Sequence, residues 1–247
     1  EKLWISTYNG IYYVDFSSPF TYFTSDPRLN VSILSVAEHN RQFYLSTNQG
    51  VYYRQDTVRK LNTLNYTDFL TLFTKVKNLN LRVKKLISLN DYMYACTDYG
   101  LYLIEHGKAR LLLEGDFEDV VESSFFQDQI YISSSNGLLL ASQTDYGSMK
   151  KIGYINNLDY SIRTVAENVN GQLWLGSNNN GLFRIDFTKS AELNPVFIHI
   201  QRGYGLPDNY DWIDVYKTRN GILFSTYNGV YRYNEKSLFV KDSLMVI

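Results

Sequence analysis

Residues 173–183 read LWLGSNNNGLF, and the fold turns on how that stretch is understood. An apolar and aromatic run, Leu173 to Leu175, gives way to a polar tract ending at Gly181, and Leu182-Phe183 resume the apolar run. Strand, tight turn and strand is the pattern of a β-hairpin; glycine supplies the positive φ such turns demand, and asparagine beside it tolerates the left-handed region. The same pattern recurs as LWISTYNGIY at 3–12, FYLSTNQGVY at 43–52, MYACTDYGLY at 93–102, IYISSSNGLL at 130–139 and ILFSTYNGVY at 222–231. The shared glycines, Gly10, Gly50, Gly100, Gly137, Gly181 and Gly229, are separated by 40, 50, 37, 44 and 48 residues. Propeller blades repeat every ~40–50 residues.

Each hairpin is flanked by further β-rich sequence. Ahead of it lie VSILSVAE (31–38), VKKLISL (83–89), VVESSFF (120–126), SIRTVAE (161–167) and WIDVYK (212–217); behind it come stretches such as ARLLLE (109–114) and VFIHIQ (196–201). Four antiparallel strands per repeat is a propeller blade, and no helical pattern alternates with the strands as a βαβ architecture would need. The expectation is an all-β chain, a single β-propeller domain over residues 1–247 with four-stranded antiparallel blades and six recognisable repeats. The ring is six-bladed or a fragment of a seven-bladed one. Residue 1 falls at the second strand of its unit, so Leu244-Met245-Val246-Ile247 is expected to supply the missing innermost strand and latch the ring. One insertion departs from the pattern: Thr67-Asp68 followed by Phe69, Leu72, Phe73 and Val76 has helical spacing behind a capping residue and predicts a short helix, packed over the rim or serving as a lid or docking element for a neighbouring domain, the first being favoured.

Composition narrows the functional classes. Twenty-four Lys+Arg against 25 Asp+Glu leave a net charge of -1, so there is no excess positive field to hold a phosphate backbone, and no nucleic-acid partner is expected. A hydrophobic content of 45%, 16% of the chain being aromatic, excludes disorder, and no apolar run approaches the ~18 residues of a membrane span. No signal peptide is visible, as in a mature or excised domain. The single cysteine, Cys96, makes no intrachain disulfide and reads as a buried strand residue, leaving the redox compartment open.

On these motifs the chain resembles the two-component regulator propeller repeat. LWISTYNGIYYVD, LWLGSNNNGLFRID and FSTYNGVYRYN are similar to that family's Leu-Trp-Ile-Gly-Thr strand, Asn-Gly turn and Leu-Tyr-Arg-Tyr-Asp strand. Gly205-Leu206-Pro207-Asp208-Asn209 resembles the element preceding the family's innermost strand, with degenerate versions at Leu29-Asn30 and Leu158-Asp159. The family's glycine before Thr or Ser survives only as Gly176, and its tryptophan only as Trp4 and Trp174. The resemblance implies the extracytoplasmic sensor region of a hybrid two-component histidine kinase of the Bacteroidetes, periplasmic, excised from a larger multidomain sensor. It implies an oligosaccharide ligand and, as neighbours in the parent chain, a second propeller and a β-sandwich domain; it also allows a homodimer. The kinase belongs to the parent protein, because this chain carries neither a phospho-acceptor histidine on a helix nor an ATP-binding glycine-rich segment. It is expected not to be an enzyme itself, to need no cofactor and not to insert directly in the membrane.

His39, His106 and His199 fall in different blades at non-equivalent positions, two in turns and one in an outer strand, which argues against a metal site or triad. The acidic run Glu114, Asp116, Glu118, Asp119 and Glu122 lacks the alternation of a calcium loop and reads as a solvated loop at the start of a strand. Asp145-Tyr146-Gly147-Ser148 bears only a faint likeness to the Asp-box turn of sialidase propellers. No carboxylate pair is singled out for glycoside hydrolysis. Within a blade the middle hairpin turns and the blade-to-blade connections share one face, which brings Tyr8, Asn9, Asn48, Asp98, Tyr99, Asn136, Asn179, Tyr227 and Asn228 to one mouth. The connections add Tyr160, Tyr204, Tyr210, Asp211 and Trp212. Aromatic rings with amides and carboxylates are the chemistry that binds sugars, and the aromatics of 204–212 are the strongest ligand-binding candidates because turn geometry does not require them.

Overall fold

Every buried strand of a propeller blade must satisfy two neighbours, one sheet on each face, and the central strands here are accordingly apolar on both sides. In a computed structural model, which describes residues 2–7, 10–15, 32–55, 73–187, 193–201, 206, 212–233 and 244–246, the strand Tyr92–Thr97 is buried from Met93 onward without alternation. The chain divides into two compact units, Glu1–Val31 and Ser32–Ile247. Of the first, the described part is a hairpin of β1 (Lys2–Thr7) and β2 (Gly10–Asp15), paired from Lys2↔Asp15 to Thr7↔Gly10.

The second unit is five four-stranded antiparallel blades, each a simple up-and-down meander. Blade one is β3 (Ile33–His39), β4 (Gln42–Thr47), β5 (Gly50–Gln55) and β6 (Thr74–Lys75). Blade two is β7 (Val83–Leu89), β8 (Tyr92–Thr97), β9 (Gly100–Glu105) and β10 (Lys108–Glu114); blade three is β11 (Phe117–Glu122), β12 (Gln129–Ser134), β13 (Gly137–Gln143) and β14 (Met149–Tyr154). Blade four is β15 (Ile162–Glu167), β16 (Gln172–Ser177), β17 (Leu182–Asp186) and β18 (Phe197–Ile200), and blade five β19 (Asp214–Thr218), β20 (Gly221–Thr226), β21 (Gly229–Tyr233) and β22 (Leu244–Val246). First strands of successive blades lie against one another, β3 on β7, β7 on β11, β11 on β15 and β15 on β19, as the inner strands of a propeller do.

Three sequence expectations are corrected. Among the described residues the expected six or seven blades are five, with the two-stranded hairpin of the first unit, because a recurring hairpin motif counts turns rather than completed sheets. Leu244–Val246, expected to supply the missing innermost strand of the first repeat, pairs instead with β21 through Tyr231↔Val246 and Tyr233↔Leu244, making the outer strand of blade five. The helix predicted across 67–76 does not run through its described end. Residues 67–72 lie outside the description, but Thr74 and Lys75 pair with Tyr53 and Tyr52 as the fourth strand of blade one, and Val76 is buried between blades one and two. The strand read at 120–126 also shifts back, to Phe117–Glu122.

Two repeated devices join the blades. At the hairpins, the hydroxyl before the turn bridges it: Thr47, Thr97, Ser134, Ser177 and Thr226 donate to the carbonyls of Gly50, Gly100, Gly137, Gly181 and Gly229 at 2.7–3.4 Å. At Gly50 (φ 129) and Gly137 (φ 115) glycine is required twice over, since a Cβ there would also lie 2.4 Å from the carbonyl oxygen of Leu79 or Leu158. Leu79 and Leu158 are themselves buried where the chain passes to the next blade, as is Leu206. At the inner strands, β3, β7, β11 and β15 each carry a bulge at the same place, skipping Leu34, Lys84, Glu118 and Arg163. The residue after the bulge reaches the next inner strand. Ser35 Oγ accepts from the Leu86 amide (3.2 Å), Asp119 Oδ2 from Val165 (3.4 Å) and Thr164 Oγ1 from Val215 (2.8 Å). Lys85 occupies the same position in blade two and cannot accept; there Asp119 Oδ1 takes the Val120 amide at 2.9 Å and the Lys85 ammonium at 2.7 Å.

The flanks of the five-blade unit differ from its interior. Leu86, Val120, Val165 and Val215, which face the preceding blade, are at most 5% exposed, whereas Val36 at the same position of blade one is 53% exposed. Val51, Leu101, Leu138 and Leu182, facing the following blade, are at most 1% exposed, but Val230 of blade five is 38% exposed.

Candidate functional site

The turn after each second strand lies beside the start of that blade's inner strand, or beside the chain leaving the blade. The amides of Asn48, Ser135 and Asn178 donate to the carbonyls of Ser32, Asp116 and Ser161, and the Gly115 amide donates to Tyr99. Hairpin turns and blade connections therefore share one rim, as the sequence leads one to expect. Tyr99 and Tyr227 project from the turns of blades two and five, 68% and 79% exposed. Asn48, Asn136, Asn179 and Asn228 are exposed in their turns, Asn179 with a φ of 60. Trp212 is half-buried, bridged to Asn178, with the Arg163 guanidinium 5.5 Å from its ring centroid. Arg163 Nε in turn donates to Asp214 at 3.0 Å, so blades four and five meet at an aromatic ring held by a paired cation.

Other candidates are engaged in the fold. Tyr160 packs on Phe183 (4.8 Å) and His199 (5.5 Å) in the core of blade four. Asp98 pairs with Lys84 at 2.9 Å and Arg82 at 3.7 Å. Tyr8, Asn9, Tyr204, Tyr210 and Asp211 lie outside the described residues.

The most organised polar cluster at the rim escaped the sequence reading. Lys84, the bulged residue of blade two, reaches Asp98 in its own blade and Asp116 and Glu118 in the next, the last at 2.7 Å. Burial alone would lower the pKa of the Lys84 ammonium, but the hydrogen bonds it donates to Asp116, Glu118 and Asp98 outweigh that and hold it above the ordinary lysine range. Three carboxylates thus converge on one ammonium. The acidic run read as a solvated loop is consequently spent on inter-blade pairing: Asp116 and Glu118 on Lys84, and Asp119 buried against Lys85. The signal available in the sequence was positional, Leu34, Lys84, Glu118 and Arg163 each standing one residue before the inner-strand residue that makes the inter-blade contact.

The three histidines stay apart. His39 ends β3 and contacts Ser88 Oγ at 2.9 Å, His106 sits in a turn at φ 48, and His199 of β18 meets the Asn180 carbonyl at 2.6 Å. Cys96 is fully buried, and burial pushes its thiol well above the usual range. Among the described residues no helix is long and apolar enough to cross a membrane.

No protein-family model matches the chain, and no curated protein is similar to it in sequence. Solved structures do match in fold. The extracellular domain described as that of the hybrid two component system BT3049 from B. thetaiotaomicron superposes with a TM-score of 0.72 at 15% identity, over 100% of this chain and 33% of that one. That of BT4673 from the same organism gives 0.60 at 20% identity, over 93% of this chain and 30% of that one. Virginiamycin B lyase from Staphylococcus aureus gives 0.58 at 14%, over 87% and 69%. The chain spans about a third of the two B. thetaiotaomicron domains. The fold is a β-propeller, and its structural neighbours include extracellular domains of two-component systems.

Proposed function

We propose that this chain is the ligand-binding part of the periplasmic sensor region of a two-component system, that it recognises an oligosaccharide at the rim, and that it performs no catalysis of its own, the kinase residing elsewhere in the parent protein. The observation that carries the reading is the set of rings at the rim: Tyr99 and Tyr227 stand exposed in turns whose geometry asks only for a hydroxyl and a glycine, and Trp212 is held by Arg163 and Asn178 of the neighbouring blade. Such rings stack on the C–H faces of sugars while Asn48, Asn136, Asn179 and Asn228 offer amides to hydroxyls. The likeness to extracellular domains of two-component systems supports the same reading. Signalling then follows from differential affinity: a glycan that binds one arrangement of protomers or neighbouring domains better than another shifts the population between them.

A thermal-shift screen against defined plant, host and microbial oligosaccharides tests this. One glycan class is expected to raise the midpoint, since a ligand at a hundredfold excess over its dissociation constant adds ~2.7 kcal/mol. Replacing Tyr99, Tyr227 and Trp212 together by alanine is expected to abolish that shift while the unliganded midpoint stays within a few degrees. A flat screen on folded protein sinks the reading. It would favour a second one, a protein-interaction platform, for which the exposed Val36 and Val230 flanks speak.

A further inference from the structure

At the end of the blades opposite the rim, a third device ties neighbours together and fails once. The last inner-strand residue facing the preceding blade bonds that blade's first turn region. Ser88 meets His39 at 2.9 Å, Glu122 accepts from Asn90 at 2.6 Å, and Glu167 accepts from Ser123 at 2.8 Å and from the Ser124 amide. In blade five the register places Lys217 at this position, opposite Ile222 as Glu167 is opposite Leu173. Its partner turn does not reach across to it: Asn168 Oδ1 accepts from the amides of Asn170 and Gln172, both at 2.9 Å, closing on itself. Among the described residues Lys217 makes no bond to blade four.

Where the tie is missing, a cleft of about 420 Å³ opens between blades four and five. That is within the ~300–1,000 Å³ of small-molecule sites. Trp174, Ile222 and Tyr233 give it an apolar floor, Asn170 and Asn220 offer side-chain amides, and Lys217 and Arg219 make a cationic wall. No carboxylate lines it, and neither Lys217 nor Arg219 has an ion-pair partner among the described residues. Beneath the floor the buried Trp174 Nε1 has no hydrogen-bond acceptor. Two unpaired cations without a counter-charge, in a chain of net charge -1, select for an anion; a floor of rings and an aliphatic chain selects for one carried on a ring.

We propose that this cleft is a second binding site, specific for an acidic saccharide, a uronate whose carboxylate meets Lys217 and Arg219 while its ring lies over the apolar floor. The proposal is independent of the rim reading, since no residue is shared. Isothermal titration with digalacturonic acid and a glucuronate-containing disaccharide, beside neutral galactobiose and sodium sulfate, tests it on the full chain. At least one acidic disaccharide is expected to bind, at least tenfold tighter than galactobiose or sulfate, and more weakly as salt is raised. Lys217→Glu, which restores an acid as at Glu122 and Glu167, and Arg219→Ala should each weaken that binding at least tenfold. Both side chains are exposed, so the thermal midpoint should hold, with Lys217→Gln as the milder variant. Lys150→Ala, which removes an exposed cation of blade three, should leave this binding unchanged. Binding by neither acid, equal binding of galactobiose or sulfate, or full affinity in the Lys217 variants would overturn it.

Discussion

Asp119 is buried among strands and takes three partners: the Lys85 ammonium and the amides of Val120 and Val165. Burial dominates and pushes its carboxyl above the ordinary carboxylate range, even though Lys85 and the two amides pull it down. A carboxyl raised on folding contributes stability that is fully present below its unfolded value of ~3.9 and is lost as pH rises through the folded value. Asp119→Asn removes that dependence. In urea titrations the difference in stability between variant and wild type is therefore expected to move in the variant's favour from pH 4 to pH 7; an unchanged difference would show that Lys85 and the amides, not burial, set the balance. The acid run was visible in the sequence, but its partners were not. Lys84 and Lys85 lie more than thirty residues upstream, and only the inner-strand packing of β7 on β11 brings them to Asp116, Glu118 and Asp119.

Among the elements, the inner strands do most to set one blade against the next, and Thr164 shows how. Its hydroxyl accepts from the buried Val215 amide, which has no partner within its own sheet at that point. Thr164→Val keeps the shape and removes the acceptor, so calorimetry should register a loss of about 1–3 kcal/mol, the usual cost of an unsatisfied buried amide. A loss under about half that would mean water replaces the hydroxyl. The hairpins were legible because a hydroxyl, a glycine and a period of two residues leave a local signature. The bulges were not, since Leu34, Lys84, Glu118 and Arg163 share a register rather than a residue type. The fourth strand of blade one was misread for a related reason: Phe69, Leu72, Phe73 and Val76 have helical spacing, yet Val76 is buried by its position after a two-residue edge strand. Edge strands carry little pattern of their own. At the candidate site the aromatics of the turns were legible by type; the cation that holds Trp212 was not, because Arg163 lies in another blade.

For the five-blade unit as a whole, the contrast between inner and flanking positions is a stability map. Val36→Asp places a charge on an exposed flank and should change unfolding free energy by no more than about 0.5 kcal/mol, whereas Val165→Asp, at the equivalent buried position, should cost roughly 3 kcal/mol or more or prevent folding. Denaturant midpoints of the two variants decide it; a large loss from Val36→Asp would mean that flank is covered in solution. Sequence counting gave more blades because LWISTYNGIY carries the full hairpin signature, while the described residues of its unit form two strands.

The bonds between inner strands also have a direction. Ser35, Asp119 and Thr164 each hand an acceptor forward to an inner-strand amide of the following blade, whereas the acceptors handed back, Glu122 and Glu167, serve turn residues at the opposite end. The array therefore has a head and a tail, as a polar filament does. Asp214 stands at the last such position, where its carboxylate accepts from Arg163 of the blade before it. Tandem duplication can lengthen such an array only in the sense in which it is already written, so a new copy inherits its docking instructions from the copy before it and needs none of its own.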